Sequence, residues 1–169
     1  MFSWIKLFNR FFQWNTVEVP VQRDEIKCVP SFDDLHLFSS KGIIVDAPNP
    51  YIILAGPFYK KPSNIRGLCL EEQYYNVNND TDDWLFPIPD FKVPRDKSAF
   101  RDILTEVYCH AKKEKIVYIG CKGGYGRTGM SIACLLKMHG SKNPIQEVRL
   151  LYDKRAIETP EQESFVNRF

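Results

Sequence analysis

Between residue 50 and the C-terminus, apolar positions follow two rhythms. Short apolar runs at 51–55, 65–70 and 84–88 have the length and β-branched or aromatic content of buried strands, and 115–120 (KIVYIG) is a fourth. Elsewhere the apolar residues recur every three or four positions. Phe100, Ile103, Leu104 and Val107 make one stripe of a helix that Asp96 or Ser98 caps and that reaches about Lys113. A second helix is expected from Arg127 to His139, stopped by Gly140. Two more, over 144–153 and 160–168, carry Pro in their first turns. Pro87, Pro89 and Pro94 stiffen a loop centred on Asp90. Strands interleaved with helices of this length predict an α/β layer with helices on both faces.

The first fifty residues read differently. Over 2–14, Trp4, Ile5, Phe8, Phe11 and Phe12 gather on one side of a helix, with Lys6, Arg10 and Gln13 on the other. Such an aromatic face either docks on the domain behind it or lies at a membrane surface, and docking is the expectation. Residues 16–50, broken by Pro20, Pro30, Pro48 and Pro50, give no clear element. The division expected is an N-terminal helix over 1–15 and one domain over 16–169.

Composition narrows the partners. A net charge of +2 without a long basic run argues against nucleic acid. The five cysteines at 28, 69, 109, 121 and 134 are odd in number and form no CxxC pair, which points to a reducing, cytoplasmic compartment rather than secretion. No apolar run is long enough to span a bilayer, and no signal-peptide cleavage pattern follows the N-terminus.

The chemistry is concentrated in Val117-Tyr-Ile-Gly-Cys121-Lys-Gly-Gly-Tyr-Gly-Arg127-Thr-Gly129. A strand precedes Cys121 and a helix follows Arg127. Between them Gly123, Gly124 and Gly126 let successive backbone N–H groups turn inward, so that Lys122 through Gly126 form a cradle for a phosphate-sized anion at a helix N-terminus. The same positive potential favours a thiolate at Cys121, and Arg127 can grip two oxygens in a fork. A nucleotide-binding loop does not fit, because no Gly-Lys-Ser/Thr follows. The plain alternative is a core cysteine in an ordinary strand-to-helix turn.

These residues resemble the Cys-x5-Arg signature of the protein tyrosine and dual-specificity phosphatases. Cys121 through Thr128 fits Cys-x-x-Gly-x-x-Arg-Ser/Thr, with Gly124 on the fixed glycine, and the compact dual-specificity branch is the nearer match. The resemblance covers about residue 50 to the C-terminus. It implies a central mixed β-sheet flanked by helices in one phosphatase domain, no metal or other cofactor, and hydrolysis through phosphocysteine. It assigns nucleophile to Cys121, phosphate grip to Arg127 and the sulfur-bonding hydroxyl to Thr128. Asp90, 31 positions before Cys121, falls on the family's mobile acid loop, with Asp82, Asp83 and Asp96 as fallbacks. Gln162 falls on a segment that brings a Gln near water in several subfamilies, although Thr159-Pro-Glu-Gln162 equally reads as a helix cap. Cys69 resembles a backdoor cysteine beneath the nucleophile, against the simpler reading of a core thiol.

One position departs from the pattern: Gly120 stands where the family has His, which predicts a looser loop. Lys122 and Tyr125 line the pocket, and with Tyr125 replacing a second basic residue the substrate expected is a phosphoprotein. The rivals are a phosphoinositide or other small phosphate, and a phosphate-binding module without activity.

Overall fold

The computed structural model describes residues 41–45, 51–73 and 82–169. The expected helix over 2–14, and Cys28, lie outside them. Strands β1 (Lys41–Val45), β2 (Tyr51–Pro57), β3 (Gly67–Cys69), β4 (Trp84–Leu85) and β5 (Ile116–Cys121) form one sheet in the order β1-β2-β5-β3-β4. β1 runs antiparallel to β2, while β2, β5, β3 and β4 are mutually parallel. The sheet is therefore mixed, as expected. The helices are α1 (Lys97–Glu114), α2 (Gly126–Met138), α3 (Pro144–Leu151) and α4 (Pro160–Arg168).

Local chemistry sets their ends. Asp96 accepts from Ala99 N at 2.9 Å and caps α1. Thr159 and Gln162 make a reciprocal capping box at the start of α4. β4 is shorter than the apolar run at 84–88 suggests, yet the pairing continues. Phe86 N donates to Cys69 O at 2.9 Å and Ile88 N to Leu70 O at 3.2 Å. Pro87 and Pro89 take the alternate positions, where an edge strand needs no donor.

Side-chain alternation divides the core. Ile53, Leu68, Leu70, Val117, Ile119 and Cys121 join one cluster, to which all four helices contribute. The intervening residues Leu54, Cys69, Ile116 and Tyr118 belong to a second cluster with Phe58 and Ile65. Among the described residues, this second face is covered by the 3-10 turn Phe58–Lys60 and the loop after it. The parallel strands all run towards one edge, where such sheets place their ligand sites. Among the described residues, no helix is long and apolar enough to cross a membrane.

Candidate active site

Cys121 is the last residue of β5 and is 2% exposed. The chain then turns so that Gly124, at φ 83°, points its N–H back to Cys121 Sγ at 3.2 Å. α2 starts at Gly126 and carries Arg127 in its first turn, so the cysteine, the loop and the helix N-terminus converge as the motif requires.

Arg127 is 4% exposed. Its Nη1 donates to Ile88 O at 2.8 Å and to Leu70 O at 3.4 Å, and its Nη2 donates to Asp90 Oδ1 at 2.7 Å. The loop bearing Asp90 thus already reaches Arg127, where a loop that rises only with substrate was expected. The first turn of α4 holds it there: Thr159 Oγ1 donates to Phe91 O at 3.4 Å, and Gln162 Nε2 donates to Lys92 O at 3.4 Å. Two of the fallback carboxylates are engaged elsewhere. Asp83 Oδ1 accepts from Gly67 N at 2.7 Å and pairs with Lys61 at 3.2 Å while its Oδ2 is buried without a partner, and Asp96 caps α1; of Asp82, the backbone carbonyl accepts from Arg66.

Gln162 lies between its two expected readings. Its Oε1 accepts from Glu158 N at 2.9 Å and Thr159 N at 3.4 Å, completing the helix cap. The same amide nevertheless lies against Gly126, where an added Cβ would fall 3.0 Å from both Nε2 and Oε1. Thr128 corrects an expectation. Its Oγ1 is buried and has no hydrogen-bond partner, so the bond to the cysteine sulfur is not made.

Cys69 is also corrected. It is in register with Gly120, one position from Cys121, and successive strand residues face opposite sides. Its thiol therefore sits in the cluster opposite that of Cys121, where burial pushes it up to about 11. The Cys69 and Cys121 side chains thus belong to opposite faces of the sheet, although Cys121 is near enough to add to the rise at Cys69.

At the mouth, Lys122 and Arg127 line a cleft of about 140 Å3 with Glu71, Glu72, Gln73 and Asp90. Gly123 is exposed. Tyr125 turns to the rim, where the Arg155 guanidinium stacks 4.0 Å from its ring centre and donates to its hydroxyl at 2.6 Å. Arg155 is in turn paired with Asp153 at 3.1 Å.

The structure also accounts for Gly120. A Cβ there would lie 2.7 Å from Gly56 O, 2.9 Å from Phe58 Cα and 2.9 Å from Tyr118 Cε1. The end of β2 occupies the space a histidine would need. Gly124 closes on the same segment, with an added Cβ 2.6 Å from Gly56 C. Tyr118 then ties the segment down by donating to Pro57 O at 2.8 Å. The loop is braced by β2 instead of being loosened. Gly120→Ala is expected to lower stability by about 1–3 kcal/mol through overpacking, read as a lower melting temperature. The sequence reading missed Gly56, Pro57 and Tyr152; of these, only a Gly-Pro pair ending an apolar strand offered a signal.

The decisive comparison concerns the stretch that carries Asp90, Cys121, Arg127, Tyr152 and Gln162. A family model described as PTP-SAK, the Swiss Army Knife protein DSP-PTPase phosphatase domain, matches residues 66–166, more than half of the chain. The chain belongs to this family. An uncharacterised protein of Methanocaldococcus jannaschii is 42% identical over 81 residues, which are 47% of this chain and 50% of that protein. Human tyrosine-protein phosphatase non-receptor type 4 is 38% identical over 90 residues, 46% of this chain and 9% of that protein. The phosphatase domain thus spans half the length of the archaeal relative and a small part of the human one. The crystal structure of Tk-PTP in its active form shares the fold, with a TM-score of 0.57 at 22% identity, covering 76% of this chain and 95% of that chain.

Proposed function

We propose that the domain hydrolyses phosphomonoesters in two displacements at Cys121. The Cys121 thiolate attacks phosphorus, forming the S–P bond as the ester P–O bond breaks, and Asp90 delivers a proton to the departing oxygen. A water then attacks phosphocysteine, gives its proton to Asp90 and releases inorganic phosphate and the thiolate. Gln162, beside Gly126, is the residue proposed to orient that water. The carrying observation is the 2.7 Å contact between Arg127 Nη2 and Asp90 Oδ1 above the cysteine loop. A bound phosphoryl group takes over the Arg127 donor and leaves Asp90 facing the leaving oxygen.

The reading favoured for the substrate is a phosphorylated protein side chain, phosphotyrosine or phosphoserine/phosphothreonine. Three carboxylates, Glu71, Glu72 and Asp90, share the cleft with two cations, Lys122 and Arg127. One phosphate is accommodated there, whereas the further phosphates of an inositol ring meet like charge. The second reading, a phosphoinositide, draws on the exposed Arg155 that stacks on Tyr125. Comparison of kcat/KM on phosphopeptides and on phosphoinositides in mixed vesicles decides between them. Higher values on the lipids would reverse the preference.

Asp90→Ala tests the acid. Turnover of alkyl phosphates is expected to fall by ~10²–10⁴-fold, the usual range of general-acid help. An activated aryl phosphate, whose leaving group needs little protonation, should lose far less. Equal losses on both substrates would make Asp90 a structural residue.

A further inference from the structure

An anion cradle needs its N–H groups on the substrate side, so its carbonyl oxygens must find donors elsewhere. A buried carbonyl without a donor is costly, and the available donors therefore decide which way each loop peptide faces. The buried Gly124 accepts from the Tyr152 hydroxyl at 2.5 Å. The next carbonyl, that of Tyr125, accepts from Gly129 N at 2.8 Å and Ile157 N at 3.4 Å. In a planar trans peptide the C=O and N–H point in opposite directions, and among the described residues no peptide bond is cis. Drawing Gly124 O towards Tyr152 therefore turns Tyr125 N–H to the other side. Drawing Tyr125 O towards Gly129 turns Gly126 N–H likewise.

The two anchors differ in kind. The Tyr125 carbonyl is held by backbone, which most residues could supply. The Gly124 carbonyl depends on one side chain. Tyr152 sits at the C-terminal end of α3, its own N–H bonded to Val148 O at 2.9 Å and its ring in the core cluster, 6% exposed. Its phenol is raised well above the ordinary range, first by burial and then by the neighbouring Cys121, so it remains a donor throughout any assay range. The other titratable neighbours acting on it are Tyr118, Asp153 and Tyr125.

We propose that Tyr152 is a positioning residue, whose hydroxyl fixes the Gly124–Tyr125 peptide and, by holding Gly124 from its carbonyl side, keeps the Gly124 N–H on Cys121 Sγ and the following N–H groups turned to bound phosphoryl oxygens. This bond orders the loop in a chain where Gly120 places no side chain behind the nucleophile. The assignment rests on Cys121 being the nucleophile.

The test uses the full chain as wild type, Tyr152→Phe, and Tyr51→Phe as a control. Tyr51 also loses a hydroxyl contact, to His139 Nε2 at 3.0 Å, but at the opposite end of β2. Two quantities are read: the pH midpoint of iodoacetamide alkylation at Cys121, by peptide mapping, and the inhibition constant of inorganic phosphate. Tyr152→Phe is expected to move the midpoint upward and to weaken phosphate on the order of 10-fold or more, the consequence of leaving one buried carbonyl unpaired. Tyr51→Phe should lower the melting temperature and move neither quantity. Placing 3-fluorotyrosine at 152, which keeps the donor, should keep the midpoint at or below the wild-type value, even if the phenylalanine variant does not fold.

An unchanged midpoint and phosphate constant in Tyr152→Phe, equal shifts in Tyr51→Phe, or an upward shift with 3-fluorotyrosine would overturn the assignment alone. A wild-type Cys121 that alkylates like a free thiol would contradict the nucleophile reading, and the Tyr152 assignment would fall with it.

Discussion

Cys121→Ser is expected to abolish turnover while leaving oxyanion binding in place. A serine hydroxyl is not ionised near neutral pH, and the loop offers donors that stabilise an anion but no base positioned to remove the proton. The hydrogen bond that reaches Sγ comes from a donor, Gly124 N at 3.2 Å. Loss of an attacking group costs on the order of 10⁴–10⁶-fold in kcat. The cradle depends on backbone N–H groups and on Arg127, neither of which the substitution touches, so the phosphate inhibition constant should stay within a few-fold of wild type. Titration of the serine variant with phosphate or vanadate checks the binding half. Residual turnover near wild type would remove Cys121 from the mechanism.

Arg127→Lys should damage both binding and rate. Arginine holds three partners at once: the carbonyls of Ile88 and Leu70 through Nη1 and Asp90 through Nη2. A lysine presents one point charge and no planar fork. It cannot bridge the acid loop and face substrate together. Removing one donor from a transition-state anion site typically costs ~10²–10³-fold, and the freed acid loop adds to that. The expected result is a fall in kcat/KM of that order or larger, with a rise in the phosphate inhibition constant. Because Arg127 also seats Asp90, Arg127→Lys combined with Asp90→Ala should lose less than the product of the single losses. A multiplicative double variant would mean the two residues act independently.

Those contacts also show what the sequence could and could not tell. The loop from Cys121 to Arg127 was legible because its signals are local: an apolar strand, three glycines at the turn, and an arginine opening a helix. The loop around Asp90 was legible through its prolines, its acid reading only through the family resemblance and the spacing to Cys121, and the capping box of Thr159 and Gln162 through its spacing. The position of Cys69 was not, because strand parity decides it. A shift of one residue in register moves a side chain to the other face, and Cys69 pairs with Gly120 instead of Cys121. Gly120 itself reads as a missing histidine until β2 is seen filling that space. Tyr152 lies within the apolar run Leu150-Leu-Tyr152 and reads as core, and no local pattern says that its hydroxyl reaches a carbonyl 28 positions earlier. Thr128 followed the motif in sequence but not in hydrogen bonding.

The central claim is that phosphoryl transfer passes through Cys121. Rapid acid quench of the wild-type domain during turnover of an activated aryl phosphate, followed by peptide mapping, tests it most directly. The account predicts a transient phosphoryl group on the Cys121 sulfur, absent when substrate is omitted. A phosphoryl group mapped to any other side chain, with Cys121 unmodified, would contradict it.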